Sequence, residues 1–311
     1  MRVIFFGTAQ FAVPSLEAVA AHHTIVRCVT QPDRPQGRGL LTAASPVKQV
    51  AERLGLPLSQ PERVTRELCE AVPPDVGIVV AYGRLIPREV LDAPPQGMVG
   101  VHPSPLPKCR GAAPVTWTIL RGDTQTGVTI FRLNERLDAG DILSVRSTAI
   151  DASEDAQHLT QRLAQLGAEE LVRVLERMAS GTQQAVAQDE SQATFAPKLT
   201  KAQGAIDWQQ PADVIARQVR AMIPWPTAMT QWQDVELKIL KAVARQPSDP
   251  AARATPGRIV MVSEEAISVG TGAGTLEISE VQPAGRRRMP VAAFLAGHPV
   301  RIGDKLGELN V

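Results

Sequence analysis

His102 is the residue in this sequence best placed to move a proton. It closes a short apolar run, Met98 to Val101, and Pro103, Ser104, Pro105, Leu106 and Pro107 follow it directly. Prolines fix the backbone and remove N–H donors, so the loop after the histidine is preorganised. Arg110-Gly111-Ala112-Ala113-Pro114 then opens a helix with small residues that let backbone approach a ligand closely. Farther on, Leu137-Asp138-Ala139-Gly140-Asp141 sets two carboxylates in a glycine turn. A carboxylate beside an imidazole orients the ring and favours its charged form. Ser104 and Cys109 are the nearby nucleophile candidates, and neither stands in a GxSxG elbow. A histidine with an aspartate and no activated nucleophile suits direct acyl transfer between two bound substrates rather than a covalent intermediate. Alone, His102 would read as a loop histidine, and Asp138 and Asp141 as ordinary turn residues. Their combination points to chemistry.

The elements around them predict an α/β sheet. Val3–Phe6, Ile25–Thr30, Val76–Tyr82 and Met98–Val101 are continuous apolar runs. Helical spacing separates them at 12–21, 46–54 and 61–72, and returns at 112–120. Continuous apolar strands alternating with helices indicate a parallel sheet covered on both faces. Ligands in such sheets bind outside the carboxyl ends of the strands, where His102 would lie. Residues 127–133 and 142–150 alternate more and suggest an antiparallel edge, followed by a long amphipathic helix over 154–178. Residues 181–204 are polar and Gln-rich and read as a linker. Beyond them come a helix at 212–222 and short strand-like runs at 235–241, 257–262, 266–270 and 276–282, the pattern of a small β-barrel. Gly7-Thr8-Ala9 lacks the GxGxxG spacing of a dinucleotide loop and reads as a tight turn.

At 311 residues, two domains are expected. A formal net charge of +1 gives no global field for a polyanion, so any nucleic acid would meet local basic patches. Cys28, Cys69 and Cys109 are widely spaced without CxxC, which argues against disulfides or zinc and for a reducing, cytoplasmic setting. No apolar run reaches the length of a membrane span.

GVHPSPLPKCRGAAP (100–114) and GDTQTGVTIFRLNERLDAGDIL (122–143) together resemble the 10-formyltetrahydrofolate-dependent formyltransferases. FFGTAQFAVPSL, TQPDRPQGRG, SPVK and VVAYGRLIP extend the likeness through the first half. FAPKLTK, IDW, RAMIPWP and VQPAGRRRM carry it through the second. The resemblance implies a Rossmann-like formyltransferase domain at 1–180, a linker at 181–206 and an OB-like tRNA-binding barrel at 207–311. It implies transfer of the formyl group of 10-formyltetrahydrofolate to the amino group of methionine on initiator tRNA, in translation initiation, by a metal-free, cytoplasmic monomer. His102 and Asp138 take the family's catalytic histidine and aspartate. Backbone at Arg84, Leu85 and Ile86 would read the pterin edge, with Ser104, Pro105, Leu106, Pro107 and Asp141 completing the folate pocket. Arg34 and Arg38, in a Pro/Gly-rich loop, and the triplet Arg286, Arg287 and Arg288 would meet the tRNA.

The family's catalytic asparagine falls on Gly100, which has no side-chain donor. Loss of one oxyanion donor typically costs about 100- to 1,000-fold in rate. A slow enzyme follows, unless an ordered water fills the space left by the side chain. Pro105 also removes an N–H where the family usually has leucine, and Leu40 and Leu41 stand where lysines are frequent. Formylation of a small amine, such as a nucleotide sugar, and an inactive folate- or RNA-binding homologue remain as alternatives.

Overall fold

A computed structural model describes residues 1–36, 41–70, 72–246 and 255–307. These divide into two compact units. The first comprises residues 1–114, 125–150 and 159–197, and the second residues 115–124, 151–158 and 198–311.

The first unit is built on β1 (Arg2–Gly7), β2 (Thr24–Val29), a hairpin of β3 (Arg34–Gln36) and β4 (Leu41–Ala43), β5 (Leu58–Ser59), β6 (Val76–Val80), β7 (Met98–His102), β8 (Gln125–Arg132) and β9 (Ile142–Ala149). Seven of them form one sheet in the order β5-β2-β1-β6-β7-β8-β9. The strands from β5 to β7 are parallel, and β8 and β9 add antiparallel to the far edge. Side chains alternate between its faces. Val3, Phe5, Ile78, Val99 and Val101 pack one face against α1 (Val13–His22), α2 (Pro46–Arg53) and the α6 helix (Ala156–Ala179). Ile4, Phe6, Met98 and Tyr82 pack the other against α3 (Glu67–Glu70) and α4 (Arg88–Leu91). Gly100 and His102, two and four residues on from Met98, therefore share this second face.

Among the described residues, the helix expected over 61–72 is confined to α3. Leu68 N and Cys69 N donate to the carbonyls of Thr65 and Arg66, three residues back. So short a segment does not offset the cost of helix nucleation, and Val64 and Cys69 reach the core from a turn instead. Cys28, Cys69 and Cys109 are all free and buried, and burial pushes the Cys28 thiol up to about 12.

The second unit holds most of α5 (Pro114–Arg121), then α7 (Ala212–Ala221), β10 (Ala228–Trp232), β11 (Val235–Arg245), β12 (Ile259–Val262), β13 (Ile267–Gly270), β14 (Thr275–Pro283), β15 (Met289–Pro290), α8 (Val291–Gly297) and β16 (Leu306–Gly307). Its antiparallel sheet runs β12-β13-β14-β11-β10-β16. The ends meet: Ile259 N donates to Asp304 O at 2.9 Å, and Leu306 N donates to Gly257 O at 2.7 Å. The sheet thus curls into a small barrel around Trp232, Leu237, Ile239, Ile278 and Phe294. β10, β16 and α8 are not expected from the sequence: β10 is interrupted by Thr230 and Gln231, β16 has two residues, and α8 has seven, about two turns.

Candidate active site

β7 ends on His102, which is 7% exposed. Its Nε2 lies 3.0 Å from the carbonyl oxygen of Cys109. A carbonyl only accepts, so Nε2 carries the hydrogen and Nδ1 is the nitrogen left to bind or release a proton. Nδ1 faces Asp138 Oδ2 at 3.8 Å, too far for a direct hydrogen bond but close for an ion pair. The Cys109 carbonyl is aimed at the ring by backbone in the left-handed region, φ 60°, held where Cys109 N donates to Thr194 Oγ1 at 2.9 Å. Non-glycine residues are uncommon there, and such strain is typical of functional loops.

Asp138 is left-handed as well, with φ 48°. Its Oδ2 accepts from Gly111 N at 2.8 Å, so the RGAAP segment grips the aspartate through the backbone. Two residues on, a Cβ at Gly140 would lie 1.7 Å from the Arg132 carbonyl oxygen, so only glycine lets the turn fold this tightly. The sequence-predicted pair His102 and Asp138 thus comes together.

Gly100 shares the sheet face of His102, and the space beside it is occupied. A Cβ there would stand 2.6 Å from Phe131 Cε1 and 2.9 Å from Leu133 Cδ1. Phe131 is its cross-strand partner on β8, buried, with its ring edge-on to the His102 imidazole, centroids 6.5 Å apart. An aromatic side chain covering a cross-strand glycine is a known stabilising pair. The phenyl ring of Phe131 and the side chain of Leu133 thus crowd the volume that a side chain at residue 100 would enter.

Ser104 and Leu106 are buried, and their polar groups are used internally. Ser104 Oγ donates to Lys108 O at 2.5 Å, Leu106 N to Thr129 Oγ1 at 2.9 Å, and Thr129 Oγ1 to Ser104 O at 2.7 Å. Pro105 and Pro107 have no N–H, so the segment is rigid and has few unused donors. Arg84, Leu85 and Ile86 follow β6, the parallel neighbour of β7, so both loops leave the same sheet edge. The Arg84 guanidinium donates to the carbonyls of Pro61 and Glu62, and Leu85 is 91% exposed. Among the described residues the N–H groups of 84–86 find no acceptor. Asp141 is exposed, and its carbonyl accepts from Arg132 N at 2.8 Å.

Arg34 opens β3, and Arg38 lies outside the described residues. The base of that hairpin is tied by Lys48 Nζ on Asp33 Oδ2 at 2.5 Å and by Gln60 Nε2 on Asp33 Oδ1 at 2.7 Å. The hydrogen bond from Lys48 holds the Asp33 carboxyl below its usual range. That tie is complete above the ordinary aspartate range and is lost as pH falls through the lowered value. In the second unit, Arg288 is engaged by Glu280 through two contacts of 2.5 and 2.6 Å. Arg286 and Arg287 are exposed on the turn after β14.

Sequence reasoning missed Thr129, Phe131, Thr194 and, above all, Gln188. Gln188 Nε2 donates to the carbonyls of Asp138 and Gly140 at 2.8 and 2.7 Å. Its Oε1 accepts from Arg110 Nε and Nη2 at 3.1 and 2.7 Å. A glutamine in a polar tract carries no local pattern that reveals this.

The chain matches the Formyl transferase family over residues 1–175 and the Formyl transferase C-terminal domain over residues 198–299. It is 46% identical to methionyl-tRNA formyltransferase of Solibacter usitatus, covering 99% of each chain. It is 44% identical to that of Thermus thermophilus, covering 99% of this chain and 100% of the other. Solved structures share the fold. An N-formyltransferase from Helicobacter canadensis, in complex with folinic acid and dTDP-3-aminofucose, superposes with TM-score 0.69 at 16% identity, over 92% of this chain and 99% of that one. HypX from Aquifex aeolicus in complex with tetrahydrofolic acid gives 0.63 at 21%, over 96% of this chain, which spans only 47% of HypX. With both family regions matched in order and the histidine–aspartate pair at the sheet edge, the chain belongs to the formyl transferase family.

Proposed function

We infer that this chain transfers the formyl group of 10-formyltetrahydrofolate to the amino group of methionine on initiator tRNA, as a cytoplasmic monomer. The observation that carries this reading is His102, its Nε2–H fixed on the Cys109 carbonyl and its Nδ1 turned to Asp138, in a chain aligned end to end with methionyl-tRNA formyltransferases.

The chemistry follows from that arrangement. The amine nitrogen attacks the formyl carbon and a tetrahedral oxyanion forms. The nitrogen then sheds a proton, which Nδ1 of His102 accepts, and Asp138 stabilises the imidazolium produced. As the bond from the formyl carbon to N10 breaks, the proton passes to N10, so the histidine ends neutral. The folate supplies the activated formyl group. Backbone donors at 84–86 fit its polar ring edge, and the SPLP segment fits its apolar face. No side chain at residue 100 can bond the oxyanion, so turnover is expected to be slower than that of an enzyme with asparagine there. Arg34, Arg38, Arg286 and Arg287 supply the phosphate contacts. Arg288, already paired with Glu280, contributes less.

The test is mass-spectrometric detection of N-formylmethionine after incubation with 10-formyltetrahydrofolate and methionyl initiator tRNA. Formylated initiator tRNA, with elongator methionyl-tRNA left unchanged, is the expected result. Folate binding without product would instead identify an inactive homologue. Product only with a small amino sugar would identify a small-amine enzyme.

A further inference from the structure

Asp138 is useful only if its carboxylate stays opposite Nδ1 of His102, yet it follows the exposed residues 134–137 and takes a strained, left-handed conformation. Two features hold it there. Gly111 N grips the carboxylate, and Gln188 grips the backbone. Both hydrogens of the Gln188 amide are used, on the carbonyls of Asp138 and Gly140, and its oxygen sits in the fork of Arg110. Arg110 is 3% exposed and is itself clamped. Its Nη1 pairs with Glu190 Oε2 at 2.9 Å, its N donates to Thr194 O and its carbonyl accepts from Ala196 N, both at 2.8 Å. Arg136 adds a second cation to Glu190 at 3.0 Å. The hydrogen bond from Arg110 holds the Glu190 carboxyl below its usual range, so the clamp is charged at neutral pH. Gln188 therefore joins the aspartate loop to the loop whose Gly111 holds the same aspartate, and closes a ring of contacts around it.

We propose that Gln188 is a positioning residue for Asp138, and that the 188–196 segment is a working wall of the active site rather than a passive connection. Its effect on rate rests on the formyl-transfer reading; its effect on geometry does not. Gln188→Glu separates the two halves of its role. The glutamate keeps an acceptor for Arg110 but has no hydrogens for the carbonyls of Asp138 and Gly140. Gln188→Leu removes both.

The experiment is amide hydrogen exchange by NMR combined with single-turnover formylation, on the full chain. Gly111 N–H reports the position of the Asp138 carboxylate, and Ala113 N–H, donated to Ala196 O at 3.1 Å, reports that the segment remains docked. In Gln188→Glu, Gly111 exchange is expected to accelerate at least about tenfold while Ala113 stays protected. The single-turnover rate should fall about 100-fold, the typical penalty for a misplaced catalytic group, with the KM of either substrate within about twofold. Gln188→Leu should match it in rate. Unchanged Gly111 exchange in Gln188→Glu, or a rate equal to the parent's, overturns the proposal. If the parent itself makes no product and Gly111 still loses protection, the positioning role stands and the formyl-transfer reading falls.

Discussion

His102→Gln is expected to lower single-turnover formylation about 100- to 10,000-fold, the usual contribution of a positioned general acid–base group. Glutamine keeps a donor that can reach the Cys109 carbonyl but has no nitrogen that binds and releases a proton near neutrality. Binding should survive. The folate surface proposed at 84–86 and at the SPLP segment does not involve the imidazole, so the folate dissociation constant should stay within about threefold of the parent's, a change worth less than ~1 kcal/mol. Fluorescence titration with folate beside rapid-quench kinetics separates the two quantities. A variant that keeps the parent's rate would move the proton transfer to another group. A variant that loses folate binding in proportion would make His102 a binding residue.

The second large effect concerns Gly100. The family resemblance alone suggests that restoring asparagine would accelerate the enzyme, and the packing argues against that for the single substitution. The new Cβ would meet Phe131 and Leu133 at 2.6 and 2.9 Å, and the phenyl ring is buried with no solvent to swing into. Overpacking of this kind costs about 1–3 kcal/mol, and the displaced ring would press on His102. Gly100→Asn is therefore expected to be less stable and no faster. Gly100→Asn with Phe131→Leu returns the volume, and in that background the asparagine is expected to raise the rate about 100-fold or more, the worth of one oxyanion donor. Thermal melts and single-turnover rates on the four proteins of this double-mutant cycle check both halves. If Gly100→Asn alone is as stable as the parent and faster, Phe131 does not hold the space. If the double variant is stable and no faster, another group bonds the oxyanion.

The fold was legible where burial was unambiguous. Val3–Phe6, Val76–Tyr82 and Met98–Val101 are apolar on successive residues because both faces of the sheet are covered, and β1, β6 and β7 sit there. The region 61–72 misled because Val64, Leu68 and Cys69 mimic helical spacing while, among its described residues, only Glu67–Glu70 winds. In the site, His102 and Asp138 stood out in combination, since each alone reads as an ordinary loop or turn residue. Phe131 did not, because its role depends on the register that sets it across from Gly100, which no local pattern encodes. Gln188 was invisible for the same reason, since its partners lie about fifty and eighty positions away in the chain.

The buried thiols make the first unit its own stopwatch. Cys28 lies among the side chains of the α1, α2 and α6 face, Cys69 among those of the opposite face, and Cys109 in the loop that holds His102. Alkylation needs an exposed thiolate, so each cysteine can be labelled only when its own layer opens. Peptide mass spectrometry of iodoacetamide-treated protein would resolve three separate labelling times from one sample, without any engineered probe. Cys109 should be labelled first, by motion of its loop. Cys28, sealed in the sheet and with its thiol pushed up to about 12, should be labelled last, at the rate of global unfolding. Repeating the labelling with folate bound would show which of these openings the ligand suppresses.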